Sequence, residues 1–251
     1  MSYTQIKTLQ EELKNKGPEE VLVRVSEVFG DSILFASALG AEDQVITDII
    51  SRRGLKIPVI TLDTGRLFNE SYQMLEDIEK KYGIRVKLYF PDRDAVEAMT
   101  AGHGVNLFRD SVENRKLCCR VRKIEPLRRA LAGSKAWICG LRREQSVTRN
   151  EIQTIEWDEA NQLVKINPLA DWTEDQVWEY IKNNEVPYNK LHDQGFPSIG
   201  CACCTRAVKR TEDVRAGRWW WETPEQKECG LHVVDGKLIR IKPATNETPT
   251  P

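Results

Sequence analysis

Apolar positions along the chain alternate between two spacings. Residues 3–16 and 18–29 repeat apolar side chains every three or four positions, which predicts two amphipathic helices. Pro18 falls in the first turn of the second, where its missing N–H costs nothing. Residues 32–36 (SILFA) then form an uninterrupted apolar run, the mark of a strand buried on both faces. A helix over 42–53 follows, with Val45, Ile46, Ile49 and Ile50 on one face. The alternation continues with a strand at 57–62, a helix at 69–82, a strand at 84–90 and a helix near 94–100. The second half predicts a helix over 120–131, a strand at 136–139 and a short strand at 163–166. Thr173 caps a helix from 174 to 183. Strands alternating with helices of this length imply an α/β fold, a parallel twisted sheet flanked by helices on both faces. Beyond 185 the pattern breaks into turns and a Trp219-Trp220-Trp221 run, and the proline-containing end is expected to fray. The expected organisation is a nucleotide-binding domain over residues 1–210, with a C-terminal extension over 211–251.

Composition narrows this picture little. The 251 residues are 40% hydrophobic and 30% charged, ordinary for a globular chain. Thirty-seven Lys and Arg balance 38 Asp and Glu, for a net charge of −1. That argues against a general nucleic-acid coat or an anionic-membrane binder. No run approaches the roughly 18 apolar residues of a membrane span, and the polar first residues do not read as a signal peptide. A cytoplasmic protein is expected.

Candidate chemistry begins at the predicted strand ends. In a parallel sheet, ligands bind at the carboxyl ends of strands, near helix N-termini. The loop Ser37-Ala38-Leu39-Gly40-Ala41-Glu42-Asp43 stands there, with small residues that would let backbone N–H groups approach an anion. It matches neither GxxxxGK[ST] nor GxGxxG, and an ordinary strand-to-helix turn explains it equally well. After the next strand come Asp63-Thr64-Gly65-Arg66, where an aspartate could touch a nucleotide or simply cap its loop.

Seven cysteines change the picture more. An odd number cannot all pair within the chain, and a chain without an export signal is expected in a reducing compartment. Cys118-Cys119 and Cys201-Ala202-Cys203-Cys204 could converge as four thiolates on one centre. Adjacent cysteines suit a centre as large as a cubane better than a single zinc, which favours [4Fe–4S]. Unligated buried thiols and a redox disulfide at the CxxC remain open. Basic residues flank both groups: Arg115, Lys116, Arg120, Arg122, Lys123, Arg128 and Arg129 beside the first, Arg142, Arg143 and Arg149 further on. Arg206, Lys209, Arg210, Arg215 and Arg218 flank the second. They would neutralise thiolates and attract an anionic substrate, although Arg128 and Arg129 read better as a solvated helix face. Lys123, four residues past Cys119, could point at the same centre. Cys229, beside Glu228 and Gly230, is a candidate exposed nucleophile.

In order along the chain, SALGAEDQV, LDTGRLFNESY, ENRKLCCRVRKIEPL, GLRREQSVTR, NPLADWTEDQVW, PYNKLHDQGFPSIGCACCTR, GRWWWE and KECGLH closely resemble the sulfonucleotide reductases, over roughly residues 30–235. The resemblance is to their cluster-containing branch, which acts on adenylyl sulfate (APS). It implies an adenine nucleotide α-hydrolase-like sheet in which SALGAED is a modified pyrophosphatase loop. Ser37, Gly40, Glu42 and Asp43 would then face the nucleotide, together with Asp63, Thr64 and Gly65. It further implies one [4Fe–4S] cluster on Cys118, Cys119, Cys201 and Cys204, and Cys229 as nucleophile. Lys123, Arg215, Arg218 and one of Arg142 and Arg143 would line a phosphosulfate pocket, with His232 near the nucleophile. The implied partner is thioredoxin or a glutaredoxin-like dithiol reductant, and a homo-oligomer is compatible with the pattern. Family members often carry proline where this chain has Cys203, so the CxxC holds an extra thiol, while Cys139 reads as structural. The rival substrate is 3′-phosphoadenylyl sulfate (PAPS), alone or alongside APS. A more distant rival is an ATP pyrophosphatase, whose SGGxDS-like loop SALGAED does not reproduce. A cluster- or zinc-stabilised binding module is the non-enzymatic alternative.

Overall fold

The central strands bury both of their faces, with alternate side chains pointing opposite ways, whereas the two edge strands are partly exposed. In chain order the helices and strands are α1 (Tyr3–Glu12), α2 (Pro18–Phe29), β1 (Ile33–Ala36), α3 (Ala41–Arg52), β2 (Val59–Leu62), α4 (Asn69–Tyr82), β3 (Lys87–Tyr89) and α5 (Arg93–His103). There follow α6 (Val112–Cys119), α7 (Glu125–Leu131), β4 (Ala136–Ile138), β5 (Ile155–Asp158), β6 (Leu163–Ile166) and α8 (Glu174–Asn183). This is a computed structural model that describes residues 3–145, 149–209 and 211–223. Ile33 and Phe35 of β1 pack with residues of α1, α2, α3 and α8, whereas Leu34 packs with Leu127, Leu131 and Trp137 on the α7 side. The sheet is therefore the middle of three layers.

Strand order is β3-β2-β1-β4-β6-β5. All neighbours are parallel except β5, which runs antiparallel to β6 with Ile155 opposite Ile166. From β1 the chain moves outward through β2 and β3, then returns to place β4 on the other side of β1. The switch point thus lies between β1 and β4, where a crevice opens at the strand ends.

The expected parallel sheet flanked by helices is present, with several corrections. Helix α1 stops at Glu12 rather than 16, and Asn15 just beyond takes a left-handed φ of 61°. Strand β3 is shorter than 84–90 and α5 is longer than 94–100. The helix expected over 120–131 starts earlier, as α6, capped by Ser111 Oγ on Asn114 N–H. It continues through a π-turn at Arg120–Ile124 into α7, so the wider turn falls directly after Cys118-Cys119. Strand β5 was not expected, and it adds an antiparallel edge. Beyond the sheet, Met99, Leu107, Phe108 and Trp219 pack with Cys118, Cys119, Cys201 and Cys204 in a separate core. Among the described residues no helix is long and apolar enough to cross a membrane.

Candidate active site

The loop after β1 is shaped by its own carboxylate. Ser37 Oγ accepts from Leu39 N–H at 3.1 Å and supports the left-handed φ of 62° at Leu39. Asp43, in the first turn of α3, accepts from Ala38 N–H at 2.9 Å and from Gly40 N–H at 3.1 Å. The amides expected to meet a substrate anion are thus occupied by Asp43. Burial, then the neighbouring Glu42 charge, push the Asp43 carboxyl up to about 7 against the N–H groups of Gly40, Ala38 and Gly140.

A cleft follows the β1/β4 crevice. Its walls include Ser37, Gly40, Glu42, Asp43 and Thr64, and its cations are Lys123, Arg149, Arg215 and Arg218. Of the residues nominated from the sequence, Asp63, Gly65, Arg142 and Arg143 stand behind these walls. Asp63 caps its loop, accepting from Gly65 N–H at 2.8 Å and from Tyr72 Oη at 2.9 Å. Gly65, at φ 69°, lies over Arg122, which donates to Thr64 O at 2.7 Å. Buried Arg142 donates from Nε to Glu42 Oε1 at 2.8 Å, and Arg143 pairs with Asp171. Cys229 and His232 lie outside the described residues.

Sequence reading counted Arg149 only among the surrounding cations, yet it lines the cleft and donates to Gln145 Oε1 at 2.5 Å. Gln145 and His192 were not nominated at all, and both line the same cleft. Burial lowers the pKa of His192, whose ring stands edge-on to Trp178 at 5.2 Å. All three fall in segments that carry the resemblance, Gln145 and Arg149 in GLRREQSVTR and His192 in PYNKLHDQGFPSIGCACCTR, and only Arg149 was also marked by its charge.

Behind the cationic end lies a second, small pocket holding five thiols: Cys118, Cys119, Cys201, Cys203 and Cys204. Lys123, Cys201 and Trp219 line both this pocket and the cleft. Helix α6 brings the first two thiols, and the 3-10 turn at Ala202–Cys204, with Cys201 at its N-cap, brings the others. Thr64 Oγ1 lies 3.3 Å from Cys201 Sγ, and Cys203 Sγ lies 3.7 Å from Cys204 Sγ. Burial raises the Cys118 thiol, with Arg122 opposing it. The hydrogen bond between the neighbouring thiols lowers Cys203 and raises Cys204. Among the described residues no group of three or more His, Cys, Asp or Glu is placed to hold a single metal ion.

Trp219 carries Arg115 on its ring at 4.7 Å and Arg218 at 4.8 Å. Arg115 donates from Nε to Glu222 Oε1 at 2.6 Å, with both side chains buried. Burial works against the Arg115 charge, and Glu222, with Cys119, more than offsets it.

Fold and site together define a nucleotide-type α/β protein with a cation-lined cleft backed by a thiol pocket. The chain belongs to the phosphoadenosine phosphosulfate reductase domain family, whose model matches residues 32–207. A protein of Allochromatium vinosum named adenosine 5′-phosphosulfate reductase is 60% identical over 202 residues, covering 80% of this chain and 79% of its own. One of the same name from Sinorhizobium fredii is 46% identical over 240 residues, covering 96% of this chain and 95% of its own. The crystal structure of a phosphoadenylyl-sulfate reductase from Candida auris, a phosphate complex, superposes with a TM-score of 0.69 at 30% identity. It covers 83% of this chain and 98% of that one. A Candida glabrata FMN adenylyltransferase shares the fold, at a TM-score of 0.55 and 17% identity over 98% of this chain and 83% of that one.

Proposed function

We propose that this chain is an enzyme that reduces APS to sulfite and AMP, in sulfate assimilation, with a thioredoxin-type dithiol protein as reductant. The observation that carries this reading is the grouping of Lys123, Arg149, Arg215 and Arg218 in one cleft at the strand ends, against the thiol pocket. A sulfuryl group on a 5′-phosphate is anionic at both ends of its labile bond. These cations would neutralise its oxygens before a thiolate approaches. Cys229 is the assigned nucleophile. Its sulfur bonds to the sulfuryl sulfur while the bond to the phosphate oxygen breaks, and AMP leaves with that electron pair. The product on the enzyme is Cys–S–SO3⁻. One thiolate of the reductant then attacks the Cys229 sulfur and expels sulfite, and its second thiolate resolves the mixed disulfide. His232 is assigned a place near the nucleophile.

Cys118, Cys119, Cys201 and Cys204 are assigned to a [4Fe–4S] cluster. The reading is supported by two thiol pairs lining one pocket together with cations. When bound, such a cluster supplies a cross-link between α6 and the 202–204 turn, and negative charge facing Lys123. Residues 1–210 act in this reading as the nucleotide domain and 211–251 as the segment carrying the nucleophile. A cytoplasmic location, with its reducing poise, suits these thiols.

PAPS is the competing substrate, since the matching family model and the Candida auris structure carry that name. Steady-state rates with each nucleotide decide between them: APS is expected to be preferred, and a clear preference for PAPS overturns the choice. Cys229→Ser is expected to abolish sulfite release while the protein keeps its iron; full activity in that variant overturns the nucleophile.

A further inference from the structure

We infer that the buried Arg115–Glu222 ion pair is a positioning device that anchors the root of the Cys229 segment to the helix bearing Cys118 and Cys119. The inference rests on Cys229 being the nucleophile. Arg115 is 0% exposed and the Glu222 side chain 4%, with Nε and Oε1 2.6 Å apart. Arg115 lies three residues before Cys118 on α6, and Glu222 lies seven residues before Cys229. The pair therefore ties α6 to the chain just ahead of the segment assigned the nucleophile, across 107 residues of sequence.

Packing extends the anchor to the cleft. Arg115 and Arg218 both stack on Trp219, and Arg218 lines the cleft where the anion would bind. Trp219 is buried, with a left-handed φ of 39° that its surroundings must hold in place. Glu222 N–H donates to Trp219 O at 2.8 Å, closing the turn that sets Glu222 against Arg115. A buried charge whose partner is removed is strongly unfavourable. Neutralising Glu222 should thus free this turn from α6, while Arg218 keeps its own contacts to Ser198 and Ile199 in the cleft wall. Neither side chain is asked to touch the reacting atoms.

The test uses the holoenzyme and its Glu222→Gln and Arg115→Lys variants. Three quantities are read: iron content, AMP affinity, and the single-turnover rate of S-sulfocysteine formation on Cys229, followed by intact mass. A misplacement of about 1 Å can cost roughly 100-fold in rate, so Glu222→Gln is expected to slow adduct formation by on the order of 10- to 100-fold. Its iron content should match wild type and its AMP affinity should stay within about threefold, roughly half of a tenfold step on a logarithmic scale. Arg115→Lys, which keeps charge but not the planar fork, is expected to fall between. Adduct formation at the wild-type rate in Glu222→Gln overturns the inference. So does loss of iron and AMP binding in parallel with the rate in both variants, which would make the pair merely structural. Cys229→Ser separates the underlying reading: an adduct still forming in that variant shows that the nucleophile was misassigned, whatever Glu222 does.

Discussion

Asp43 on α3 and Gly140 after β4 meet so closely that a Cβ at residue 140 would lie 2.4 Å from Asp43 Oδ1. The two residues stand on opposite banks of the crevice where the sheet changes direction, and Gly140 N–H helps hold the carboxylate. Because Asp43 also holds Ala38 and Gly40, one carboxylate fixes the first loop against the fourth strand.

Gly140→Ala should therefore push Asp43 off its amides. Overpacking of this kind costs about 1–3 kcal/mol. The expected outcome is a lower melting temperature together with weaker AMP binding, read by calorimetry on the same sample. Unchanged AMP affinity would mean that the loop geometry does not shape the cleft.

The same carboxyl makes stability depend on pH in an unusual direction. Its pKa in the folded chain, about 7, stands above the ordinary 3.8, so between these values the folded state holds a proton that the unfolded state has released. Its contribution is fully present below about pH 4 and is lost as pH rises through 7, worth on the order of a few kcal/mol. The stability of wild type minus that of Asp43→Asn should therefore shrink between pH 4 and 8 in urea titrations. A difference that grows over that range contradicts the assignment.

The elements that carry this crevice were legible because β1, β2 and β4 are buried and mostly apolar, and β6 interrupts its apolar run only with the buried Lys165. Strand β5 escaped because IEWD sits at the sheet edge, half exposed, with polar residues at alternate positions. Helix α6, VENRKLCC, escaped for another reason. Its buried side chains are Arg115, Cys118 and Cys119, so the face that would signal a helix is made of residues serving the site. Asp63 and Arg142 show the limit of motif reading. Its strand-end position marks Asp63 and the resemblance marks Arg142, but which side chain enters the cleft depends on local partners, Gly65 and Tyr72 for Asp63 and Glu42 for Arg142. Gln145 and His192 lie in two of the segments that carry the resemblance, but nothing within those segments marks which side chains reach the cleft from separate loops.

Arg142 acts on the cleft through Glu42, whose Oε1 also accepts from Gln145 Nε2 at 2.8 Å. Arg142→Met should leave the Glu42 charge exposed to an incoming anion and raise the KM for the nucleotide. Adding Glu42→Gln should restore much of the loss, with a coupling energy of about 0.5–3 kcal/mol in AMP binding. Additive effects of the two changes would show that the pair is independent of the anion site.

The thiol pocket makes the sharpest demand, because it holds five sulfurs and the assigned cluster takes four. Cys118, Cys119, Cys201 and Cys204 are buried, whereas Cys203 is partly exposed. Serine at any of the four buried positions should lower iron and acid-labile sulfide well below the roughly four irons per chain of a [4Fe–4S] centre, with loss of the broad visible band. Cys203→Ser should keep both. Cys139 serves as the internal control. It lies in a different core, its Sγ donates to Asn167 Oδ1 at 3.1 Å, and burial pushes its thiol up to about 12. A thiol so protonated is a poor nucleophile, so Cys139 should resist iodoacetamide in the native protein and its serine variant should keep full iron content. If Cys203→Ser lost its iron while Cys204→Ser kept it, the ligand would be Cys203, and the turn at Ala202–Cys204 would present its middle sulfur instead of its last.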